Sequence, residues 1–279
     1  MCQQIKKIIL ISGWIFLLAA CFGEAQETPQ EAPVVENPND QVADLATVEI
    51  DEKPELTGIP DQISEPEPVT FCGAANPEAA TILTTEASLS YLALVNRCYR
   101  VASDFSPEDL VAVNVASVNL PPNGVHELRA TAAQALEELF AKADQLELNL
   151  LLSSAYRGYE LQEFFFSNNV ANRGLEEAMR VSAVPGHSEH QLGLAVDLTT
   201  PALEAVGWLD ASFAMTPAGI WLSENAHLFG FIISFPDGRE ADVAIIYEPW
   251  HLRYVGVETA TTIFHAGYVL EEFLWYNSN

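Results

Sequence analysis

Basic residues are scarce in this chain. Twelve lysines and arginines stand against 39 aspartates and glutamates, a formal net charge of −27. Such a surplus of acid excludes nucleic acid as a partner, because the phosphates would be repelled. The deficit is uneven. From Phe22 to Val69 acids recur against a single Lys53, interspersed with Pro29, Pro33, Pro38, Pro54, Pro60, Pro66 and Pro68. A segment of this composition cannot bury enough apolar surface to offset chain entropy. Residues 21–70 are therefore expected to form a disordered tether, kept extended by its own charge. Long apolar runs are also missing. Ile8 to Ala20 is the best candidate, and it is too short for a comfortable membrane span. No internal repeat is evident, which excludes a repeat architecture.

The short apolar run reads instead as the core of a signal peptide over residues 1–20, with Lys6 and Lys7 as its charged start. It ends in Leu18-Ala19-Ala20-Cys21, which resembles the lipobox of bacterial lipoproteins. That resemblance implies lipidation of Cys21 and an extracytoplasmic, membrane-anchored protein of a bacterium. A plain secretory signal with an incidental cysteine is the alternative. Cysteine is scarce as well: the chain has four, and Cys72 and Cys98 are the pair left after Cys2 and Cys21. An even pair in an exported protein favours a disulfide, with two buried thiols as the alternative.

What is plentiful is apolar residues, 49% of the chain, enough for a sizeable core. The folded domain is expected over residues 71–279. Leu128, Ala132, Ala135, Leu136, Leu139, Phe140 and Ala143 recur at helical spacing, predicting an amphipathic helix over 125–146 with His126 on the surface. Ser106-Pro107-Glu108-Asp109 has the form of a helix start. Strands are expected over 147–155, 192–198, 229–235 and 241–247, and further helices over 159–171, 216–228, 258–264 and 269–275. His227 and His265 fall inside helical runs and are read as core or surface histidines.

The richest stretch is Pro185-Gly186-His187-Ser188-Glu189-His190-Gln191-Leu192-Gly193-Leu194-Ala195-Val196-Asp197-Leu198. A carboxylate near the end of an apolar strand is costly unless a cation or donors meet it. His190 and Asp197 are both zinc ligands by type, and His251, in Tyr247-Glu248-Pro249-Trp250-His251, is the best third. Pro249 excludes a helix interior, so Glu248 and His251 are expected on irregular or edge β structure. Three protein ligands leave one zinc position open, where water becomes acidic with a pKa of about 7. Glu248 could take that proton and pass it to a leaving amine. Arg157, at a strand-to-helix junction, could meet an oxyanion or a substrate carboxylate, or else form a surface ion pair.

From Ser153 to Gly256 the chain resembles the VanY-like D-alanyl-D-alanine carboxypeptidases of the M15 group of zinc peptidases. The matching pieces are Ser154-Ala155-Tyr156-Arg157-Gly158-Tyr159-Glu160-Leu161-Gln162, the stretch from Pro185 to Leu198, Trp221-Leu222, Asn225-Ala226-His227, Phe229-Gly230-Phe231-Ile232, and Glu248-Pro249-Trp250-His251-Leu252-Arg253-Tyr254-Val255-Gly256. The resemblance implies one zinc ion held by His190, Asp197 and His251, Glu248 as base, and substrate contacts from Arg157, Gln162 and Ser188. It also implies an α+β domain whose small antiparallel sheet carries the metal, acting on peptidoglycan stem peptides. Ser234-Phe235-Pro236 and Ala241-Asp242-Val243 depart from the family's usual residues at those places and bear on substrate preference. Two other readings stay open: an L,D-carboxypeptidase on tetrapeptide stems, and a wall-binding lipoprotein without turnover. No protein partner is inferable.

Overall fold

Residues 76–278, Trp208 excepted, are described by the computed structural model of the chain. They lie in the second of two units of chain, 63–279; the first, 1–62, falls outside the described residues. The expected signal peptide, Cys21, the tether and Cys72 lie outside them too. Cys98 is disulfide-bonded. Among the described residues no helix is long and apolar enough to cross a membrane.

The described chain enters through β1 (Thr81–Ile82) and a single helical turn, α1 (Thr85–Ser88), capped by Thr84. Next comes β2 (Tyr99–Arg100), parallel to β1. The expected helix at Ser106 does not form. Its acid is used elsewhere: Asp109 accepts from Arg129 Nε at 2.9 Å, and the chain runs on as β3 (Leu110–Ala112). β3 pairs antiparallel with β4 (Glu127–Arg129), so the following helix α2 (Ala130–Gln145) starts later than its periodicity predicts. His126 is buried rather than on the surface, its Nε2 donating to Val118 O at 2.9 Å. The helix itself buries Ala132, Ala133, Leu136, Leu139, Phe140 and Ala143, the face its spacing marks.

Beyond α2, Glu147 and Asn149 take positive φ values of 56° and 52°, which delays the strand to β5 (Leu151–Ser154). Two helices follow, α3 (Tyr159–Arg173) and α4 (Leu175–Val181). The rich stretch then forms a turn of 3-10 helix at Glu189–Leu192 before β6 (Ala195–Thr199), so the strand is shorter than expected. Gly193 ends that turn at φ +67°, and a Cβ there would stand 2.8 Å from Leu110 Cδ2; glycine meets both demands. The chain continues through α5 (Pro201–Glu204), α6 (Pro217–Asn225), β7 (Phe231–Ile233) and α7 (Glu240–Val243). It closes with β8 (His251–Tyr254), α8 (Val257–Ala266) and α9 (Leu270–Ser278).

The central sheet is antiparallel, in the order β5-β6-β8-β7. With the surrounding helices this is the α+β arrangement the resemblance implies. Leu152, Val196, Leu198, Phe231 and Leu252 join the apolar face of α2 in the main core. A second cluster joins Ile232, Val255, Ala260, Ile263 and Leu270 at the β7 side, with Leu92, Leu94, Phe273 and Leu274 packed against it. Two corrections bear on the site. Residues 241–247 are not a strand: α7 occupies the first of them, and Ala244 is left-handed at φ 66°. Arg180 binds Glu240 at 2.6 Å and Arg239 binds Asp242, which hold this segment as a lip instead of a ladder. His251 is not on an edge, because β8 lies between β6 and β7.

Candidate metal centre and active-site cleft

Strand register assembles the centre. Asp197 of β6 stands directly opposite His251 of β8, and opposite Ser154 of β5 on its other side. Facing residues on neighbouring strands are about 5 Å apart, so the carboxylate and the imidazole meet. His190 arrives from the 3-10 turn that precedes β6. One donor atom from each of His190, Asp197 and His251 lies within 4.8 Å of the others, and all three residues are buried.

Hydrogen bonds set the rings. His190 Nδ1 donates to Ala155 O at 2.7 Å, which leaves Nε2 facing Asp197 Oδ2 at 3.2 Å. His251 Nε2 donates to Glu189 Oε2 at 2.9 Å, and its Nδ1 faces Asp197 Oδ1 at 3.0 Å. Each imidazole thus has one nitrogen anchored to an outer acceptor and the other turned to the common point, the pattern of a histidine oriented for a metal. Two imidazole nitrogens and a carboxylate oxygen suit zinc. The residues fit such an ion.

The charges agree. Burial raises Asp197, but the charge of His190 and hydrogen bonds from both histidines hold it well below the usual carboxylate range. Burial lowers His251, yet its hydrogen bonds to Asp197 and Glu189 outweigh this and push it up to about 10. His190 is lowered, chiefly by burial. A carboxylate held ionised at this point, between two imidazole nitrogens, creates a place for a cation.

Behind His251 lies a network with no assigned role in the sequence reading. Glu189 Oε2 accepts from His251 and from Ser234 Oγ at 2.6 Å, and Oε1 accepts from Arg253 Nη1 at 3.0 Å. Arg253 is wholly buried and also donates to the carbonyls of Tyr91, Ala93 and Tyr254. Burial raises Glu189, but the charge of Arg253 and the bond from His251 bring it down to about 2. The signal available in the sequence was a carboxylate immediately before His190, paired across the fold with an arginine two places after His251.

The centre faces a cavity of about 290 Å³, lined in part by Arg157, Ser188, His190, Asp197, Glu248 and His251. Arg157 follows β5 at the junction with α3, and its backbone N–H donates to His190 O at 3.2 Å. Its guanidinium is buried, 5.3 Å from the Phe165 ring centroid, and among the described residues Nε has no hydrogen-bond partner. Burial lowers its pKa, while Asp197 and Glu248 pull the other way. It is not the surface ion pair weighed above. Glu248 sits in the loop before β8, its N–H bonded to Phe235 O at 3.0 Å. Burial pushes its carboxyl up to about 8.

Gln162 is placed differently from the other expected substrate contacts. It is buried behind the wall, donating to Ala183 O at 2.6 Å and Ser182 Oγ at 3.3 Å, and does not line the cavity. Its place is to hold the 182–184 segment that does. His227 stacks on Phe264 at 4.0 Å, and His265 is exposed, so neither belongs to the centre.

The sequence profile of the family VanY, D-alanyl-D-alanine carboxypeptidase, matches residues 125–257. YodJ of Bacillus subtilis is 38% identical over 183 residues, covering 65% of this chain and 66% of that protein. A D-alanyl-D-alanine carboxypeptidase of Enterococcus faecalis is 37% identical over 148 residues, covering 50% of this chain and 52% of the relative. The chain thus spans no more than about two thirds of either relative's length. Among solved structures, the LdcB LD-carboxypeptidase is similar with a TM-score of 0.63 and 34% identity, over 70% of this chain and 89% of that one. A VanY D,D-pentapeptidase variant in complex with Zn(II) is similar with a TM-score of 0.53 and 32% identity, over 66% and 98%.

Proposed function

Because the chain belongs to the VanY-like D-alanyl-D-alanine carboxypeptidase family of the M15 peptidases, we propose that it is a zinc-dependent carboxypeptidase that removes the terminal D-alanine from peptidoglycan stem peptides. The observation that carries this is the convergence of His190, Asp197 and His251 beside the buried Glu248 and Arg157 in one cleft.

Zinc held by His190, Asp197 and His251 would supply Lewis acidity and a nucleophile at neutral pH. The chain's own groups do the rest. Arg157 is desolvated and has an unpartnered Nε, so it gains most from a carboxylate or developing oxyanion placed against it. Ser188 lines the same cavity and is a second substrate contact. Glu248 takes a proton from the attacking water and returns it to the leaving amine. Burial raises its carboxyl, which strengthens it as a proton acceptor. Trp250 and Phe235 line the cavity, and Phe235 lies 4.8 Å from the His251 ring, which limits water at the centre.

The likeness to an LD-carboxypeptidase supports a second reading, cleavage of the single terminal D-alanine of a tetrapeptide stem. One experiment tests both. The full-length protein is expected to carry about one zinc per chain, to lose turnover on chelation and to recover it with zinc. Steady-state kinetics on peptides ending in D-Ala-D-Ala and in a single D-Ala tell the two bonds apart. A protein that binds these peptides yet turns over neither would be the wall-binding lipoprotein instead.

The reading extends to location. With Leu18-Ala19-Ala20 before it, Cys21 would carry the lipid, and the acidic 21–70 tether would let the domain reach from the membrane into the wall. Cys21→Ser should move the protein out of the membrane fraction. An unmodified Cys21 in freely released wild-type protein would leave secretion alone.

A further inference from the structure

Arg157 is a buried cation. Among the described residues it forms no ion pair and its Nε has no hydrogen-bond partner, while Asp197 and Glu248 attract it through space. A long side chain left free samples several rotamers, and fixing it for each turnover costs entropy. The ring of Phe165 supplies a constraint. The guanidinium carbon lies over that ring, 5.3 Å from its centroid. This is within reach of a cation–ring attraction, which is strongest where the cation is desolvated.

Core packing does not place Phe165 there. It is 41% exposed and belongs to neither apolar cluster, yet it lines the cleft beside Arg157. Local geometry brings the two together. Arg157 precedes the first residue of α3 by two places, and Phe165 lies nearly two turns into the helix. Helical side chains lean towards the N-terminus, so the ring reaches back over the start of α3. Hydrogen bonds fix the frame on both sides. Arg157 N–H donates to His190 O at 3.2 Å, which ties the arginine to the metal centre. Gln162, one turn before Phe165, donates to Ala183 O at 2.6 Å and sets the rotation of α3. Phe164 packs edge to face on Phe165, with centroids 5.7 Å apart.

A neutral ring also leaves the charge of Arg157 available. A carboxylate in contact would orient the guanidinium as well but would neutralise it, and an incoming anion would have to displace that partner. Resting on the function proposed above, we infer that Phe165 is a positioning residue for the reaction: the face of its ring holds the Arg157 guanidinium turned into the cleft, where the anionic oxygen of substrate or transition state meets it.

The test uses the full-length, zinc-loaded protein. Phe165→Leu keeps an apolar side chain and removes the ring. On the peptide the wild type cleaves, ending in D-Ala-D-Ala or in a single D-Ala, it should lower kcat/KM about tenfold, the scale of one desolvated cation–ring contact. Phe165→Tyr, which keeps the ring, should recover most of that loss. In an Arg157→Met background the leucine change should cost little more, because the side chain it acts through is gone. An equal loss in both backgrounds would mean that the ring touches the substrate itself, and would overturn the positioning role. A second readout needs no turnover. The Arg157 Nε–H resonance, identified by its absence in Arg157→Met, should be displaced by the ring current in wild type and Phe165→Tyr but not in Phe165→Leu. The same position in all three, or an undiminished rate in Phe165→Leu, would also overturn the role. Melting temperatures taken alongside separate a folding defect from a lost contact. If the wild type turns over neither peptide, the carboxypeptidase reading falls and the positioning role with it, whatever the resonance shows.

Discussion

Replacing Glu248 with glutamine is expected to leave zinc bound and the fold intact while turnover falls about 10²–10⁴-fold, the usual effect of losing a positioned acid–base group. The side chain keeps its shape and loses its proton acceptor. Glu248 is not among the three residues whose donor atoms converge, so the metal count should not change. Arg157 and Ser188 are untouched, so a stem peptide should still bind. Burial strengthens the contrast. A carboxyl raised to about 8 is held at a cost, and amide replacement removes that cost. The variant should therefore be at least as stable as the wild type. Were Glu248 only a structural carboxylate beside Pro249, stability would change and the rate per folded molecule would not. Kinetics normalised to zinc content decide between them, and a near-normal rate would end the proposed mechanism.

Removing Glu189 should cost more stability than replacing Glu248, Arg157 or Ser188. Arg253 is wholly buried, and Glu189 is its anionic partner at 3.0 Å. Glu189→Ala leaves that guanidinium with the carbonyls of Tyr91, Ala93 and Tyr254 alone. Breaking a buried pair from one side costs about 3–5 kcal/mol, because the remaining charge is uncompensated. The same change frees His251 Nε2 from the carboxylate that sets its ring. Loss of such an outer partner typically weakens metal binding about 10–100-fold. Chemical denaturation of the chelated protein and a zinc titration read the two effects separately. If stability hardly moves, the three carbonyls suffice for Arg253. If zinc affinity is unchanged, packing of Phe235 against His251 orients the ring instead.

The elements that were legible in sequence share a physical character: each depends on neighbours along the chain. The α2 face shows because apolar side chains repeat every three or four residues. Asp197 and His251 show because each is a polar side chain beside an apolar run, where burying it calls for a partner. Where expectation and structure part, the deciding contact is distant. Residues 241–247 are apolar enough for a strand, but Arg180, sixty residues away, binds Glu240 at the start of α7, and the segment runs as helix and turn instead. Gln162 stands at a helical position suited to the cleft, yet the carbonyl of Ala183 draws it into the wall. His126 is polar and near a predicted helix start, and becomes buried because β3 and β4 pair beside it.

Residue type and strand-end position in the sequence therefore singled out the three residues that converge, His190, Asp197 and His251, with Glu248 and Arg157 beside them, while the α+β class came from the family resemblance. Only the tertiary structure decided that Glu189 stands between His251 and Arg253, that Gln162 supports the wall, and that Asn96 and Glu271 meet in the cleft wall. Those pairs are 62 and 64, 21, and 175 residues apart along the chain. No local pattern registers such separations; they are set by strand register and by the cost of leaving a buried charge or polar atom without a partner.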